Sequence, residues 1–422
     1  MRDLLVAALI FGALPFVLRR PWLGILLWSW VGYMNPHRLT YGFAYDFPFA
    51  MVIGVVTVTA FVFTRDRQAL PMTRETLTLL ALIGWIFLTT MLSFYPELAW
   101  FQWDKIWKIQ LIVFLTAMMI TNRERLDWLI WVIVLSIGFY GVKGGIFTIA
   151  HAGAFRVQGP TGSFIEGNNE LALALIMSVP LIRYLQLQAD KKWLKTSLSI
   201  AMMLTMIAAI GSQSRGALLA LVAMGVFLWL KSRNKFVIGF YGVIVVGILA
   251  ATMPQEWYDR MNTIGDYEQD LSAQGRINAW HTAFNVAKSN VTGGGLDMFQ
   301  AATFQQYAPN PSMVFDAHSI YFKMMGEHGF IGLGLFLLLA LLTWWRASQL
   351  IRRYRNDPER KWAADLAAMA QVSLIGYAAG GAFLGLSYFD LPYHIVIMVV
   401  LAAKFVGALD RPVVAAAPMA TR

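Results

Sequence analysis

The chain contains no cysteine. That excludes disulfides, thiolate metal sites and cysteine nucleophiles, and it suits an oxidising compartment. Charge is scarce. Only 14% of the 422 residues are charged, against roughly 25% in an average soluble domain. The sequence also lacks the segments of about 10 alternating residues that a membrane barrel needs. It has no Walker loop and no Rossmann fingerprint, so nucleotide chemistry has no anchor. Besides His318, the histidines are His37, His151, His281, His328 and His394, and none sits in the H-E-x-x-H spacing of a helical zinc site.

What is present is apolar surface in long runs. Hydrophobic residues make up 58% of the chain, with 16 Trp and 28 Phe. Runs of this kind mark a polytopic membrane protein. Backbone in lipid must satisfy its own hydrogen bonds, so the runs are helices and the fold class is all-α. They fall near 4–18, 21–34, 47–63, 77–93, 106–120, 126–150, 169–187, 196–211, 216–231, 235–253, 319–345, 366–386 and 392–409. This predicts about 12 transmembrane helices, at about 20 residues per span. The first two runs share the break Arg19-Arg20-Pro21 and read either as two short spans or as one broken element. The first resembles a signal peptide, but another apolar run follows without a convincing cleavage site, so it is read as retained.

The net charge of +10 is read as topology, with no nucleic acid implied. Arg65, Arg67 and Arg74 fill one link, Arg123 and Arg125 another, and Lys191, Lys192 and Lys195 a third. Lys231, Arg233 and Lys235 fill a fourth, and Arg346, Arg352, Arg353, Arg355, Arg360 and Lys361 a fifth. These links alternate with the other loops, which places them all on the cytoplasmic side. The loops 35–46, 94–105, 151–168, 212–215, 254–318 and 387–391 then face outward. The chain divides into N-terminal membrane helices (1–253), a long outward loop (254–318), C-terminal membrane helices (319–411) and a tail (412–422) whose Ala/Pro-rich composition predicts disorder. No internal repeat is visible.

The long loop is the one extended polar part of the chain. Within it, 276–290 reads as a helix with Ile277, Trp280 and Phe284 on one face. Gly293-Gly294-Gly295 ends it, and Met298, Phe299 and Ala302 suggest a second short amphipathic helix. Both suit the interfacial layer. Asp266, Glu268 and Asp270 lack the glycine and spacing of a calcium loop and read as a solvated acidic turn. No metal site is expected.

Four outward positions are candidates for chemistry: Arg156, Arg215, Arg276 and His318. Arg215 lies in Gly211-Ser212-Gln213-Ser214-Arg215-Gly216, between two apolar runs only four residues apart. A charge at that depth is costly without a partner. The plain alternative is a snorkelling arginine at a helix end. Arg276 opens the loop helix, where free backbone N–H groups also favour anions; alternatively it is a solvated surface charge. Two arginines suit a diphosphate, because the guanidinium donates paired hydrogen bonds to phosphate oxygens. His318 is a candidate general base, since imidazole titrates near neutrality. Its alternative is a structural hydrogen-bond partner. Asp316, two residues upstream, is in range to orient the ring.

Ser212-Gln213-Ser214-Arg215-Gly216 resembles the Ser-x-Ser-Arg-Gly signature of the O-antigen ligase and polymerase family. Gly275-Arg276-Ile277-Asn278-Ala279-Trp280, followed by Gly293-Gly294-Gly295 and Phe299, is similar to the loop that follows it there. Ala317-His318-Ser319-Ile320-Tyr321, then Gly326-Glu327-His328-Gly329-Phe330-Ile331-Gly332, resembles that family's His-Asn block, with Ser319 in place of Asn. Together these motifs cover about 150–340. The resemblance implies an inner-membrane glycosyltransferase of the C type, metal-independent and without cofactor, working at the periplasmic face. It implies undecaprenyl-diphosphate-linked glycan as donor, lipid A-core as acceptor and surrounding membrane lipids as the other contacts of a monomer. By the same resemblance His318 deprotonates the acceptor, Arg215 and Arg276 hold the diphosphate, and the anomeric configuration inverts. Arg156, Gln213 and Tyr321 are further substrate-binding candidates. The segment Tyr33-Met34-Asn35-Pro36-His37-Arg38, near Tyr45-Asp46-Phe47-Pro48, resembles a branch of ligases. Polymerases, protein O-oligosaccharyltransferases and exopolysaccharide ligases share the motifs and stay open. A transporter is the alternative of another class, though carriers usually place polar groups at mid-membrane in repeated halves.

Overall fold

The computed structural model describes residues 1–231, 235–236, 255 and 271–409. Among them there is no strand. The helices are α1 (Arg2–Arg19), α2 (Trp22–Met34), α3 (Phe49–Phe63), α4 (Arg74–Met91), α5 (Pro96–Met119), α6 (Arg123–Ala150), α7 (Asn168–Gln188), α8 (Lys192–Gly211) and α9 (Arg215–Lys231). After the acidic turn, which lies outside the described residues, come α10 (Leu271–Ser289), α11 (Ala301–Tyr307), α12 (Ile320–Tyr354), α13 (Lys361–Gly381) and α14 (Asp390–Leu409). Among the described residues, six helices are long and apolar enough to cross a membrane: α4, α6, α7, α8, α12 and α14. Shorter apolar helices lie at Trp22–Met34, Phe49–Phe63 and Arg215–Leu230. The protein is a polytopic, all-helical membrane protein.

Helix starts follow local chemistry. The Thr73 hydroxyl accepts the Thr76 N–H at 3.3 Å to cap α4, and the Asn122 side chain accepts the Arg125 N–H at 2.9 Å to cap α6. Both satisfy amides that a helix leaves open. The centre of the bundle is α7, apolar all round and buried almost continuously from Leu171 to Leu185. It packs against α6, α8, α9 and α13. Small residues bring α6 and α8 together: a Cβ on Gly145 would stand 2.3 Å from the Leu204 carbonyl oxygen, the kind of close approach that apolar helices use in lipid.

The polar links gather at two ends of the bundle. At the basic end, Arg125 pairs with Asp66 (2.6 Å), Arg123 donates to Gln188 (3.1 Å), and Arg346 reaches the buried Glu75 (3.0 Å). At the other end the Phe94 N–H donates to Gly294 O (2.9 Å), Val157 N–H to Gly211 O (3.1 Å) and Asn168 Nδ2 to Ser212 O (2.8 Å). These are the loops expected to share one side. The N-terminal pair is two helices. Asp3, at the start of α1, accepts the N–H groups of Gly42 and Ala44 beyond the end of α2, so the two run antiparallel as a hairpin.

One joint positions the site. Gly329 interrupts α12 with φ 67° and ψ −173°. In a helix each carbonyl bonds the N–H four residues on, so one non-helical residue at 329 removes the bonds of carbonyls 326, 327 and 328. All three find partners elsewhere. Gly294 N–H donates to Gly326 O (2.9 Å), Gly295 N–H to Glu327 O (2.9 Å), and Trp85 Nε1 to His328 O (2.8 Å). The triple glycine therefore does more than end α10. It docks on the break in α12, with Gly293 and Gly295 left-handed at φ +69° and +80°. A Cβ on Gly329 would meet Val291 O at 2.1 Å.

Gly329→Ala should accordingly cost about 1–3 kcal/mol for the left-handed backbone alone, and more from the clash. Thermal unfolding in detergent checks this; a variant as stable as the parent would show that the joint relaxes freely.

Candidate functional site

His318 occupies a tight turn just before α12, with φ +43°. Residues other than glycine seldom take left-handed backbone, and they do so where surroundings over-determine it. Three contacts do that here. Asp316 Oδ2 accepts the His318 N–H at 3.3 Å, Lys323 Nζ pairs with Asp316 Oδ1 at 3.0 Å, and Trp280 Nε1 donates to Ala317 O at 2.8 Å. Trp280 also stacks on Phe322, centroids 4.8 Å apart. Asp316 thus holds the backbone of His318, where the sequence suggested that it orients the ring.

The turn is continuous with the joint. Lys323 lies 3.9 Å from Glu327, one helical turn on. Glu327 is 1% exposed and accepts from the Asp297 N–H at 3.0 Å and from the Tyr388 hydroxyl. That hydroxyl also contacts His328 Nε2 at 2.7 Å, and His328 Nδ1 meets Thr89 Oγ1 at 2.6 Å. Buried charge is tolerable only when each lone pair and proton has such a partner. Lys323, Glu327, His328 and Tyr388 were not singled out from the sequence as parts of the site. Their partners come from distant segments, and only a lysine four residues before a glutamate hinted at the pairing.

Arg276 reaches the site on α10. That helix begins at Leu271, so Arg276 lies in its second turn and not at the start that the sequence suggested. The anion-attracting free amides of a helix start are therefore not at this residue. The helix is pinned to the segment preceding His318. Gly275 lies flat against Phe315, where a Cβ would come within 2.5 Å of the ring. The Asn278 amide donates to Asn310 O (2.8 Å) and Met313 O (2.9 Å), while its carbonyl accepts the Asn310 N–H (2.9 Å). The buried face of α10 is Asn278, Ala279, Thr282, Ala283, Val286 and Ala287; Ile277 and Trp280 are half-buried and Phe284 is exposed. The second short helix, α11, begins after Met298 and Phe299, which are buried in the preceding turn.

Arg215 is the first residue of α9. The Ser214 hydroxyl accepts the Ala217 N–H at 3.3 Å, and the Ser212 hydroxyl accepts the Ser214 N–H at 3.2 Å. Gln213 between them is left-handed, φ +56°. Its amide donates to Gly153 O (3.0 Å) and accepts from Arg156 Nε (3.4 Å). Arg156 and Gln213 therefore brace the turn that presents Arg215. The start of α9 abuts Phe383 and Leu384 at Gly216, and Gly385 next to them lies against the His318 backbone. Arg215 and His318 thus flank one short segment. Tyr321 donates its hydroxyl to Ala378 O at 2.8 Å.

The electrostatics of His318 show what surrounds it. Burial pushes its pKa below the ordinary imidazole value; Asp316 and Glu170 oppose that, and Arg276 and Lys323 add to it. Arg276 is thus close enough to act on the imidazole, and so is Glu170 at the start of α7. Asp316 is half-buried, which raises a carboxyl, but Lys323 and the His318 contacts together outweigh this and its pKa is lowered. The net shift favours the neutral imidazole, the form that can accept a proton. Among the described residues no group of three His, Cys, Asp or Glu is placed to hold a metal; Asp266, Glu268 and Asp270 lie outside them.

No curated protein matches the chain. Residues 1–190 match a family of unknown function, DUF5935. Residues 200–337 match the O-antigen ligase family. That stretch carries the Ser212–Gly216 turn, Arg276 on α10, the triple glycine, His318 and the Gly329 joint. The O-antigen ligase match thus covers the residues that build this site, Arg215, Arg276 and His318 among them.

Proposed function

We propose that the protein is a lipopolysaccharide O-antigen ligase of the bacterial inner membrane, with about twelve spans and its site at the periplasmic face. The donor is a glycan on undecaprenyl diphosphate and the acceptor is a sugar hydroxyl of lipid A-core. His318 takes the acceptor proton while that oxygen bonds to the anomeric carbon. The bond from this carbon to the diphosphate breaks on the opposite face, so the configuration inverts. Arg215 and Arg276 meet the charge that develops on the leaving diphosphate, as paired donors do best in a site poor in water. Undecaprenyl diphosphate leaves, and no metal takes part. The observation that carries this reading is the environment of His318: a half-buried imidazole in a braced left-handed turn, its pKa pushed down by burial, with Arg276 in electrostatic reach. The deciding assay supplies purified protein in nanodiscs with lipid-linked glycan and, in turn, lipid A-core, a peptide and free glycan. Transfer to lipid A-core alone supports the ligase; transfer to free glycan instead identifies a polymerase.

Sidedness has its own test. Because the chain lacks cysteine, Ser272→Cys introduces a single thiol. A membrane-impermeant reagent should label it in cells with a permeabilised outer membrane; labelling only after inner-membrane lysis reverses the orientation.

His318→Ala should retain donor binding while turnover falls by roughly 10²–10⁴, the usual worth of a general base. Arg215→Lys and Arg276→Lys keep the charge but lose the two-pronged geometry, and should impair turnover. Donor affinity and single-turnover rates, on variants shown to fold, separate these roles. Wild-type turnover by His318→Ala would remove the base.

The depressed pKa of His318 also has a sign. The base is lost as pH falls through its pKa, so the acid limb of kcat/KM should lie below the ordinary imidazole value of about 6.5. Asp316→Asn removes a charge that favours the imidazolium and should move the limb further to acid. A limb above that value, or one that moves the other way, contradicts the assignment.

A further inference from the structure

A cavity of about 120 Å³ lies beside the His318 turn. Gln102 of α5, Phe164, Asp297, Lys323, Glu327 and Tyr388 line it, drawn from five separate segments. Gly385 belongs to the same wall, and a Cβ there would stand 3.5 Å from Asp316 Oδ2 and 3.9 Å from His318 Cα. Gly385 thus touches both the cavity and the His318 backbone. The cavity volume equals about four waters at roughly 30 Å³ each. That admits one edge of a sugar ring and excludes an oligosaccharide.

The lining divides into held and available groups. Glu327 is engaged by the Asp297 N–H and the Tyr388 hydroxyl, and Lys323 by Asp316. The Asp297 carboxylate and the Gln102 amide make no hydrogen bond among the described residues. Asp297 is held at φ +61°, left-handed like Gln213 and His318. The one ammonium in the lining, Lys323, is already paired with Asp316, so the cavity offers a diphosphate no spare cation. A carboxylate and an amide accept from hydroxyl donors, and the rings of Phe164 and Tyr388 offer apolar faces. That combination fits a neutral, polyhydroxylated ring.

We propose that this cavity is the subsite for the acceptor sugar. Asp297 and Gln102 hydrogen-bond its hydroxyls, and the ring lies so that the neighbouring hydroxyl, the one to be glycosylated, meets His318. The inference rests on the glycosyl-transfer reading and adds where the acceptor sits: negative charge and aromatic faces receive the acceptor, and the arginines receive the donor.

Gln102→Cys gives the cysteine-free chain one thiol inside the cavity. Its rate of modification by a small methanethiosulfonate is measured in nanodiscs with and without methyl glycosides of glucose, galactose, mannose, heptose and N-acetylglucosamine. At least one should slow labelling about threefold or more, with no effect on Ser272→Cys, and adding Asp297→Asn should abolish the protection. In the transfer assay, Asp297→Asn alone should raise the acceptor KM roughly tenfold, the size of one lost charged hydrogen bond. Its donor affinity, unfolding temperature and kcat at saturating acceptor should stay within about twofold. If no glycoside protects Gln102→Cys, or Asp297→Asn weakens donor and acceptor alike, the subsite is wrong. If no acceptor is glycosylated at all, the transfer reading fails, while the labelling still decides whether the cavity takes a sugar.

Discussion

Three carbonyls in the interior of the bundle set the terms for the rest of the site. Breaking α12 at Gly329 strands the carbonyls of residues 326–328, and an unbonded carbonyl away from water costs several kcal/mol. Gly294, Gly295 and Trp85 supply the missing donors. A residue with a side chain at 293 or 295 would meet Gly326 O or Ser93 before the N–H groups could approach. The loop after α10 is therefore tied to α12 through its backbone. The first turns of α12, the position of Lys323 and the turn at His318 all inherit their direction from that contact.

From the joint outward, a chain of polar groups runs to the base. Thr89, His328, Tyr388, Glu327, Lys323 and Asp316 contact one another in sequence, and Asp316 ends on the His318 N–H. Each member satisfies a neighbour that would otherwise be a buried, unpaired group. Such a chain is stiff, because moving one member strands the next. It explains how a left-handed histidine persists at the mouth of a helix.

Charge is also partitioned. Arg276 acts on His318 from α10, while Asp316, Asp297 and Glu327 gather on the α12 side. A base needs a setting that keeps it neutral without repelling either substrate. Burial pushes the imidazole toward the neutral form; under the proposed reading the opposed charges separate an anionic donor from a hydroxylated acceptor. Glu170 at the start of α7 belongs to this balance and had no motif to announce it.

Much of the architecture was legible from residue order. Apolar runs too long and unbroken for a soluble core had to become helices, because lipid offers the backbone no partner. The alternation of basic links predicted which loops share an end, and Arg125 with Asp66 and Asn168 with Ser212 meet accordingly. The helix read at 276–290 is observed at Leu271–Ser289. The motifs around Arg215, Arg276 and His318 marked the residues to examine. The register of their neighbours was not legible. Sequence placed the triple glycine as a helix stop and His328 as a failed zinc ligand; in the structure they are two parts of one joint. Sequence set Asp316 beside a ring, whereas its carboxylate reached a backbone amide and a lysine. The difference is physical. Hydrophobic periodicity and charge act locally and can be read along the chain. Which carbonyl a distant amide reaches, and which buried acid a lysine neutralises, depends on angles between helices that only the packed bundle decides.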